Sequence, residues 1–183
     1  MKLCIADPPY LFRAVRWYGD GGRGHGYGVG QADIHPQAHL WDDPKRHQQL
    51  VFEIERDFDG WAIAMTVHSL SVYLEALDTH SRDGIRVCVW HKTNAVPSGS
   101  RITNMWEPVL IKVPAARRQR IKGLQMQDVM ACACEPGFVG AKPAKWTRWV
   151  LDLLGYESET DTVVDLFPGS GAVGKELAQG RLL

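Results

Sequence analysis

The chain has 183 residues, 45% of them hydrophobic, and its 21 basic and 21 acidic side chains balance to a formal net charge of zero. These numbers are typical of one soluble globular domain, and they exclude broad electrostatic adhesion to nucleic acid, so any such contact must come from a local patch. A membrane protein and a disulfide scaffold are excluded too, because no apolar run approaches the roughly 20 residues of a membrane span and the four cysteines are irregularly spaced.

Apolar runs with the character of strands alternate along the chain with runs of helical spacing. Strands are predicted where short runs are almost wholly apolar, at residues 2–6, 61–65, 85–90, 106–113 and 162–166. Helices are predicted where apolar side chains recur every three or four residues, at residues 50–58, 70–77, 146–154 and 171–179. Gly155 is the expected C-cap of the third helix. This alternation predicts an α/β fold with a mostly parallel sheet and helices on both faces.

The first predicted strand runs directly into the motif Asp7-Pro8-Pro9-Tyr10. In open α/β sheets, ligands bind beyond the carboxyl ends of the strands, which is where this motif lies. The two prolines stiffen the backbone and leave nearby carbonyl groups without local amide partners. The Asp7 carboxylate and the Pro8 carbonyl can therefore accept the hydrogens of an amino group and make its nitrogen nucleophilic. The alternative is a turn that only ends the strand.

Asp7 and Tyr10 have distinct predicted roles in such a site. With an ordinary pKa of about 3.9, Asp7 is ionised near neutral pH and is a poor base. We therefore expect it to accept a hydrogen bond and to stabilise charge, while the proton is lost to solvent later. Tyr10 offers an aromatic ring on which a planar ligand can stack, a contact that contributes roughly 1–3 kcal/mol when the ligand is a nucleic-acid base.

The last predicted strand leads into a glycine loop that opens the final helix. Residues 169–174, Gly-Ser-Gly-Ala-Val-Gly, fit the G-x-G-x-x-G spacing of a Rossmann dinucleotide site between a strand and a helix. A dinucleotide site also has an acidic residue about 20 positions later, and the sequence given ends at Leu183. We therefore do not expect a nicotinamide or flavin site. A tight turn without any ligand is the remaining alternative.

The two motifs together, in this order, resemble those of the permuted, beta-type family of S-adenosylmethionine-dependent DNA amino-methyltransferases. In that family the acidic-Pro-Pro-aromatic motif comes first and the cofactor loop comes last. Phe167, Gly169 and Gly171 match the family's Phe-x-Gly-x-Gly loop, with Ser170 between the glycines and Asp165 in the acidic position before them. The resemblance implies that this loop binds S-adenosylmethionine (SAM), because the backbone has to approach the methionine part of SAM closely.

A third segment adds to the resemblance. Lys142 and Pro143 open the tryptophan-rich helix, and in the family a Lys-Pro at this place starts a helix beside the methionine end of the cofactor. Pro143 also fits a first helical turn without any ligand, which is the structural alternative. The similarity covers residues 3–180 and implies one methyltransferase domain over residues 1–183. Because the family usually has a further strand after the cofactor helix, we expect a permuted Rossmann-like fold reduced at the cofactor-side edge of its sheet.

The resemblance implies transfer of a methyl group from SAM to an exocyclic amino nitrogen of a DNA base, with residues 7–10 as the catalytic element. In the family, Asp at the first position is commoner with adenine N6 and Ser with cytosine N4, so adenine N6 is favoured. Cytosine N4 or RNA as the substrate is the nearer alternative. A non-catalytic nucleic-acid or protein-binding module on a decayed methyltransferase fold is the alternative from another class.

Contact with DNA phosphates is predicted from basic residues in two segments. Residues 114–141 are the expected target-recognition region, and a basic run there contains Arg117, Arg118, Arg120 and Lys122. A solvated helix face is the alternative for this run. Residues 11–46 form a Gly-rich stretch, expected to be a mobile active-site loop, in which Arg13 and Arg16 extend the same surface. So little recognition material suggests a short target, loose specificity, or a homodimer that grips the DNA.

Metal chemistry is not expected. Cys132 and Cys134 have no partnering Cys or His pair at a zinc spacing, and His35 and His39 flank Pro36 in a predicted loop. The first residues lack the apolar stretch of a signal peptide, and so few cysteines indicate a reducing compartment. We therefore expect a cytoplasmic protein of a prokaryotic or phage-infected cell, with DNA as its partner and no membrane contact.

Overall fold

The fold is seen in a computed structural model that describes residues 1–20, 34–77, 83–95, 101–119, 125–135 and 140–179. These residues form six strands: β1 (Lys2–Ala6), β2 (Gly60–Ala64), β3 (Ile85–Lys92), β4 (Trp106–Lys112), β5 (Val129–Cys132) and β6 (Thr162–Asp165). They also form five α-helices: α1 (Ala14–Tyr18), α2 (Pro44–Asp57), α3 (Leu70–Ala76), α4 (Ala144–Leu154) and α5 (Ala172–Gln179). Short 3-10 turns lie at Ala38–Asp42, Val67–Ser69 and Ala115–Arg117.

The six strands of the described residues belong to one sheet in the order β5-β3-β4-β2-β1-β6. β1 is parallel to β2 on one side and to β6 on the other, and β3 is parallel to β5. β4 is antiparallel to both of its neighbours, β2 and β3. All the other strands therefore point the same way. The predicted α/β fold with a mostly parallel, Rossmann-like sheet is confirmed.

β1 is buried on both faces because its alternate side chains enter two different cores. On one face, Cys4 and Ala6 pack in a core that also contains buried side chains of α2 and α3. On the other face, Leu3 and Ile5 pack with buried side chains of α4 and α5, among them Trp146. Each fully buried Leu or Ile contributes roughly 1.5–3 kcal/mol. The two cores confirm that helices cover both faces of the sheet.

α2 and α4 begin and end on local sequence signals. The carboxylate of Asp43 accepts a hydrogen bond from the Lys45 amide at 3.0 Å, and Pro44 occupies the first position of α2. The helix predicted at residues 50–58 therefore begins earlier, at Pro44. Pro143 immediately precedes α4, and Gly155 ends it in the left-handed conformation at φ 68°. The predicted C-cap at Gly155 is confirmed.

Two short elements lie where the sequence pattern assigns neither helix nor strand. α1 lies within the Gly-rich stretch, and its first amide groups are capped from a distance by Asp42, whose carboxylate oxygens accept from Ala14 at 2.9 Å and from Val15 at 3.1 Å. β5 lies within residues 114–141 and extends the sheet beyond β3, although its side chains are only half-buried or exposed. Both elements depend on partners that are distant in sequence, which periodicity does not reveal.

Neither a membrane span nor a disulfide bond is found in the part of the chain that the structure describes. None of its helices is both long and apolar enough to cross a bilayer. Cys4 and Cys88 are buried as free thiols in the sheet, and Cys132 and Cys134 are half-buried free thiols at its edge.

Candidate active site

Several charged side chains meet at one end of the sheet because of the directions of the strands. The parallel strands β1, β3 and β6 finish at this end, and the antiparallel strand β4 begins there. Asp7 follows β1, Lys92 is the last residue of β3, and Asp165 is the last residue of β6. Glu107 is the second residue of β4. Side chains that are far apart in sequence are thereby gathered where open α/β sheets bind ligands.

The side chain of Lys142, just before α4, connects the Asp-Pro-Pro-Tyr motif to the rest of the site. Its Nζ lies 2.8 Å from Asp7 Oδ2, 2.9 Å from Tyr10 Oη and 3.4 Å from the carbonyl oxygen of Gly140. These three acceptors match the three hydrogens of the ammonium group. Only 6% of the Lys142 side chain is exposed. Lys142 therefore fixes the orientation of Asp7 and Tyr10 and has no hydrogen left to donate to a ligand.

Glu107 closes the network from the other side. Tyr10 Oη donates to Glu107 Oε2 at 2.7 Å, and Lys92 Nζ lies 3.0 Å from Glu107 Oε1. Lys142 Nζ is 3.7 Å from the same carboxylate. The charges at this site therefore balance, with the carboxylates of Asp7 and Glu107 against the ammonium groups of Lys92 and Lys142. The apolar patterns at residues 85–90 and 106–113 indicate strands only, so neither Lys92 nor Glu107 is predicted from the sequence as a site residue.

The protonation of the network follows from burial and charge together. Burial raises the pKa of Asp7, while the adjacent Lys142 ammonium opposes that rise. Burial acts to lower the pKa of Lys142, but the carboxylates of Asp7 and Glu107 outweigh it and hold that pKa above its usual value. Burial acts to raise the pKa of Glu107, but Lys142 and Lys92 hold it below its usual value. The pKa of Asp7 is therefore raised above the ordinary value that the sequence predicts, and the Lys142 ammonium is the main group that opposes this rise.

A cavity of about 240 Å³ brings the predicted segments together. Its wall is formed by the end of the Asp-Pro-Pro-Tyr strand, the start of α4 and the glycine loop, with Asp7, Pro9, Lys142, Asp165, Phe167 and Ser170 among the lining residues. Tyr18 and His35 line it from the segment that follows the motif. One carboxylate oxygen of Asp7, Oδ1, is buried and has no hydrogen-bond partner among the described residues. An unpaired buried acceptor is costly, and a donor on a ligand would satisfy it.

Two glycines in the loop before α5 have positive φ angles. Gly169 has φ 44° and Gly171 has φ 73°, a region that residues with a Cβ rarely adopt. Asp165 Oδ1 accepts a hydrogen bond from the Phe167 amide at 3.1 Å, which fixes the start of the loop. The Phe167 ring packs edge-on against Trp41 with the ring centroids 5.0 Å apart. These contacts hold the start of the loop in shape, and residues 165–170 line the cavity.

The prolines of the site have structural positions. Pro8 and Pro9 are buried directly after β1, and Pro143 is buried next to Lys142. No described residue donates a hydrogen bond to the carbonyl oxygen of Pro8. Within the described ranges, the Asp-Pro-Pro-Tyr motif therefore has two acceptors without a donor, this carbonyl and the Oδ1 atom of Asp7.

The described part of the predicted basic run, Arg117 and Arg118, lies at the opposite end of the sheet. Arg117 Nη2 is 2.9 Å from Asp161 Oδ1, and the same carboxylate oxygen lies 2.8 Å from the amino group of Met1. Met1 precedes β1 and Asp7 follows it, so a strand roughly 16 Å long, at about 3.3 Å per residue, separates Arg117 from the motif. The structure does not bring Arg117 together with the other predicted site residues.

The remaining basic residues have different surroundings. Arg118 is engaged by an aspartate and by a backbone carbonyl group, and Arg120 and Lys122 lie outside the described residues. Arg13 and Arg16 are exposed beside α1, a few residues after Tyr10, and neither forms an ion pair with another described residue. Among the predicted phosphate-contact residues, Arg13 and Arg16 are the ones nearest to the motif along the chain.

A metal centre is not seen in this region. Within the ranges that the structure describes, no group of three or more His, Cys, Asp or Glu side chains is arranged to hold a metal ion. The arrangement offers acceptors for an amine, a closed charge network and a glycine loop at a cavity. This is binding and positioning chemistry for an organic ligand.

Comparison with known proteins gives a likeness in fold. No protein-family model matches the sequence, and no curated protein matches it. The structure is similar to that of the M1.HpyAVI–SAM complex, with a TM-score of 0.58 and 14% sequence identity over 97% of this chain and 77% of that chain. It is also similar to that of M1.HpyAVI, with a TM-score of 0.55 and 14% identity over 97% and 75% of the two chains. At this identity the likeness establishes a shared fold.

Proposed function

We propose that this protein transfers a methyl group from SAM to the exocyclic N6 of adenine in DNA. The observation that carries the proposal is the position of Asp7, which lines the same cavity as the glycine loop and leaves one buried carboxylate oxygen unpaired among the described residues. A fixed acceptor for an amine beside a loop for a nucleotide-type cofactor fits methyl transfer to nitrogen. The likeness in fold to M1.HpyAVI, a DNA methyltransferase, supports the proposal.

The residues around the cavity fit the cofactor. When bound there, SAM supplies an electrophilic methyl group on a positively charged sulfur. Gly169 and Gly171 let the backbone approach the methionine part closely, since no Cβ projects from the loop at these positions. Phe167 and Asp165 hold that loop against the cavity. Because every hydrogen of Lys142 already has a protein acceptor, its role is to position the carboxylate of the motif.

The motif activates the amino group by accepting its hydrogens. The lone pair of an arylamine is delocalised into the ring, so the nitrogen is a weak nucleophile. The Oδ1 atom of Asp7 and the carbonyl oxygen of Pro8 each accept one hydrogen, which turns the nitrogen toward tetrahedral geometry and localises the lone pair. With SAM bound, the nitrogen would take the methyl group as the carbon–sulfur bond breaks, S-adenosylhomocysteine would leave as a neutral thioether, and the surplus proton would pass to solvent. The protein contributes geometry and fixed charge.

Tyr10 holds the target base. Its hydroxyl group is fixed by Glu107 at 2.7 Å and by Lys142 at 2.9 Å, so the plane of its ring is set before any base arrives. Flipping a base out of a duplex costs a few kcal/mol, and stacking on an aromatic ring returns roughly 1–3 kcal/mol. Adenine N6 is proposed as the acceptor because Asp stands at the first position of the motif.

Base-resolved methylation mapping tests the proposal. DNA would be taken from a methylation-deficient bacterial host that expresses the chain, an Asp7→Ala variant or an Asp57→Ala variant. Asp57 is a matched control, since its carboxylate is exposed on α2 and pairs with the neighbouring Arg56 at 2.7 Å. We expect N6-methyladenine at a recurring short sequence with the wild type and with Asp57→Ala. Loss of a preorganised polar contact costs roughly 3–4 kcal/mol, so Asp7→Ala should lower the rate by about 10²–10³-fold.

The other outcomes separate the alternatives. N4-methylcytosine at a recurring sequence would keep methyl transfer and change the base. Unmodified DNA together with no binding of SAM in isothermal titration calorimetry would refute the proposal and favour the non-catalytic binding module. An Asp7→Ala variant with full activity would refute the role given to the motif.

A further inference from the structure

The turn that follows the Asp-Pro-Pro-Tyr motif carries an unusual backbone at Phe12. Residues 10–13 form a turn closed by a hydrogen bond from the Arg13 amide to the Tyr10 carbonyl oxygen at 2.9 Å. Phe12 is the third residue of this turn and has φ 61°, the single positive φ at a non-glycine residue in the described ranges. A turn with positive φ at this position favours Gly or Asn, and a bulky residue there is strained.

The surroundings hold Phe12 in this conformation from both sides. Leu11 is 2% exposed and Ala14 is fully buried, so the residues before and after the Phe12-Arg13 pair are anchored in the core. Asp42 accepts hydrogen bonds from the amides of Ala14 and Val15, which fixes the start of α1. The Phe12 ring itself is 64% exposed. Core packing therefore explains the backbone of the turn and does not explain the aromatic side chain, although a Gly at this position would relieve the strain.

The position of the ring suggests what it does. Phe12 is two residues from Tyr10, whose hydroxyl group is fixed in the site, and it directly precedes the exposed Arg13. Arg13 and Arg16 are one helical turn apart and form no ion pair with a described residue. An exposed aromatic ring followed by two guanidinium groups that pair with no described residue is complementary to a base stack bounded by phosphates.

We propose that Phe12 enters the base stack of duplex DNA at the space left by the flipped target nucleotide, while Arg13 and Arg16 bind the flanking phosphates. Apolar side chains that insert between base steps stabilise a distorted duplex, and removal of a target base leaves such a space. The strained turn aims the ring outward and keeps it rigid. This inference rests on the proposed function, because it requires that a base is taken out of a duplex.

The test compares two duplexes that differ in how firmly the target base is held. Both carry the sequence found by methylation mapping, and in one of them the base opposite the target adenine is removed. Methylation with tritium-labelled SAM would be measured for the wild type, Phe12→Ala, Phe12→Trp and Phe52→Ala. Phe52 is a matched control because its ring is 57% exposed on α2, a helix that contributes no residue to the site.

We expect Phe12→Ala to lower the rate on the intact duplex by about tenfold or more, since a few kcal/mol of flipping cost is no longer offset. On the duplex with the base removed, its rate should stay within about threefold of the wild type, because that target is already loosened. Phe12→Trp should retain activity on both duplexes, and Phe52→Ala should resemble the wild type.

The Phe12→Gly variant distinguishes a folding defect from loss of the aromatic ring that enters the base stack. Glycine adopts the turn without strain, so the melting temperature of Phe12→Gly should not fall below that of the wild type. The rate of this variant on the intact duplex should fall as for Phe12→Ala. Equal loss on both duplexes, or an unchanged rate on the intact duplex, would overturn the inference. Absence of any methylated sequence with the wild type would overturn the proposed function, and this inference with it.

Discussion

Replacement of Lys142 by Met tests the charge network at the centre of the site. Met keeps an unbranched side chain of similar length and removes the ammonium group. Asp7 and Tyr10 then lose their shared donor, and Glu107 keeps only Lys92 as a cationic partner. Because the Lys142 side chain is 6% exposed, water does not easily replace it. The variant therefore leaves the Asp7 carboxylate in a nearly closed site without its counter-charge.

The magnitude follows from the geometry. At the 2.8 Å separation of Lys142 Nζ and Asp7 Oδ2, the gross Coulomb attraction is about 6 kcal/mol at an effective dielectric constant of about 20. Part of this is offset by desolvation, and removal of one partner from a buried pair costs about 3–5 kcal/mol. We expect the free energy of unfolding of Lys142→Met to fall by that amount, measured by urea denaturation followed by tryptophan fluorescence.

The pH dependence of methylation gives a sign that a purely structural role would not. Burial already raises the pKa of Asp7, and loss of the opposing cation raises it further. Asp7 acts as a carboxylate, so the rate of Lys142→Met should be low near neutral pH and should rise with pH as Asp7 ionises. The wild type should keep its full rate to lower pH. Steady-state rates with labelled SAM between about pH 6 and pH 9 would show the shift.

A double variant provides the control. Asp7→Asn combined with Lys142→Met removes both charges, so its stability should exceed that of Lys142→Met alone, although it should be inactive. Lys142→Met with the melting temperature, the rate and the pH profile of the wild type would refute the reasoning.

Three further predictions concern other parts of the molecule. Gly171→Ala adds a Cβ that meets no atom within 4 Å but forces an alanine to φ 73°, so calorimetry should show a loss of about 1–2 kcal/mol, with weaker binding of SAM. Arg117→Ala should lower the free energy of unfolding near neutral pH by about 3 kcal/mol and leave DNA affinity unchanged. Burial acts to raise the pKa of Asp161, but Arg117 and the amino terminus hold it well below its usual value. That stabilisation is present above the ordinary Asp pKa of about 3.9 and is lost as pH falls through the lowered one. The acid dependence of unfolding should therefore be flatter in Arg117→Ala, and an unchanged dependence would contradict the pairing. Arg13→Ala with Arg16→Ala should reduce the slope of log affinity for DNA against log salt by about 2, measured by fluorescence anisotropy, and an unchanged slope would remove both residues from the DNA contact.

The parts of the site that could be predicted from sequence are those encoded in contiguous residues. A short apolar strand followed by Asp7-Pro8-Pro9-Tyr10 predicts an acidic group at the carboxyl end of a strand, and the structure has β1 and Asp7 in that arrangement. The glycine spacing predicts a loop between the last strand and the last helix, and the structure has this loop between β6 and α5, with positive φ at Gly169 and Gly171. Such signals are local because backbone stiffness and glycine conformation act over a few residues.

The remainder of the site depends on strand direction and on distant pairing. Glu107 reaches the site because β4 is antiparallel to its neighbours and begins at the active-site end. The apolar character of residues 106–113 indicates a strand but does not give its direction. Arg117 belongs to the run predicted to contact phosphate, and it pairs with Asp161, which lies 44 residues away along the chain. Charge patterns in sequence do not reveal which charges are already paired.

The reversed direction of β4 has a consequence for how such a protein diversifies. Because β3 ends and β4 begins at the same end of the sheet, the connection between Lys92 and Trp106 leaves and returns beside the site. Its length can change over generations without altering the pairing register of any strand. The sheet therefore constrains this connection only at its two ends, and a change in its length would alter the surroundings of the site at small cost to the fold.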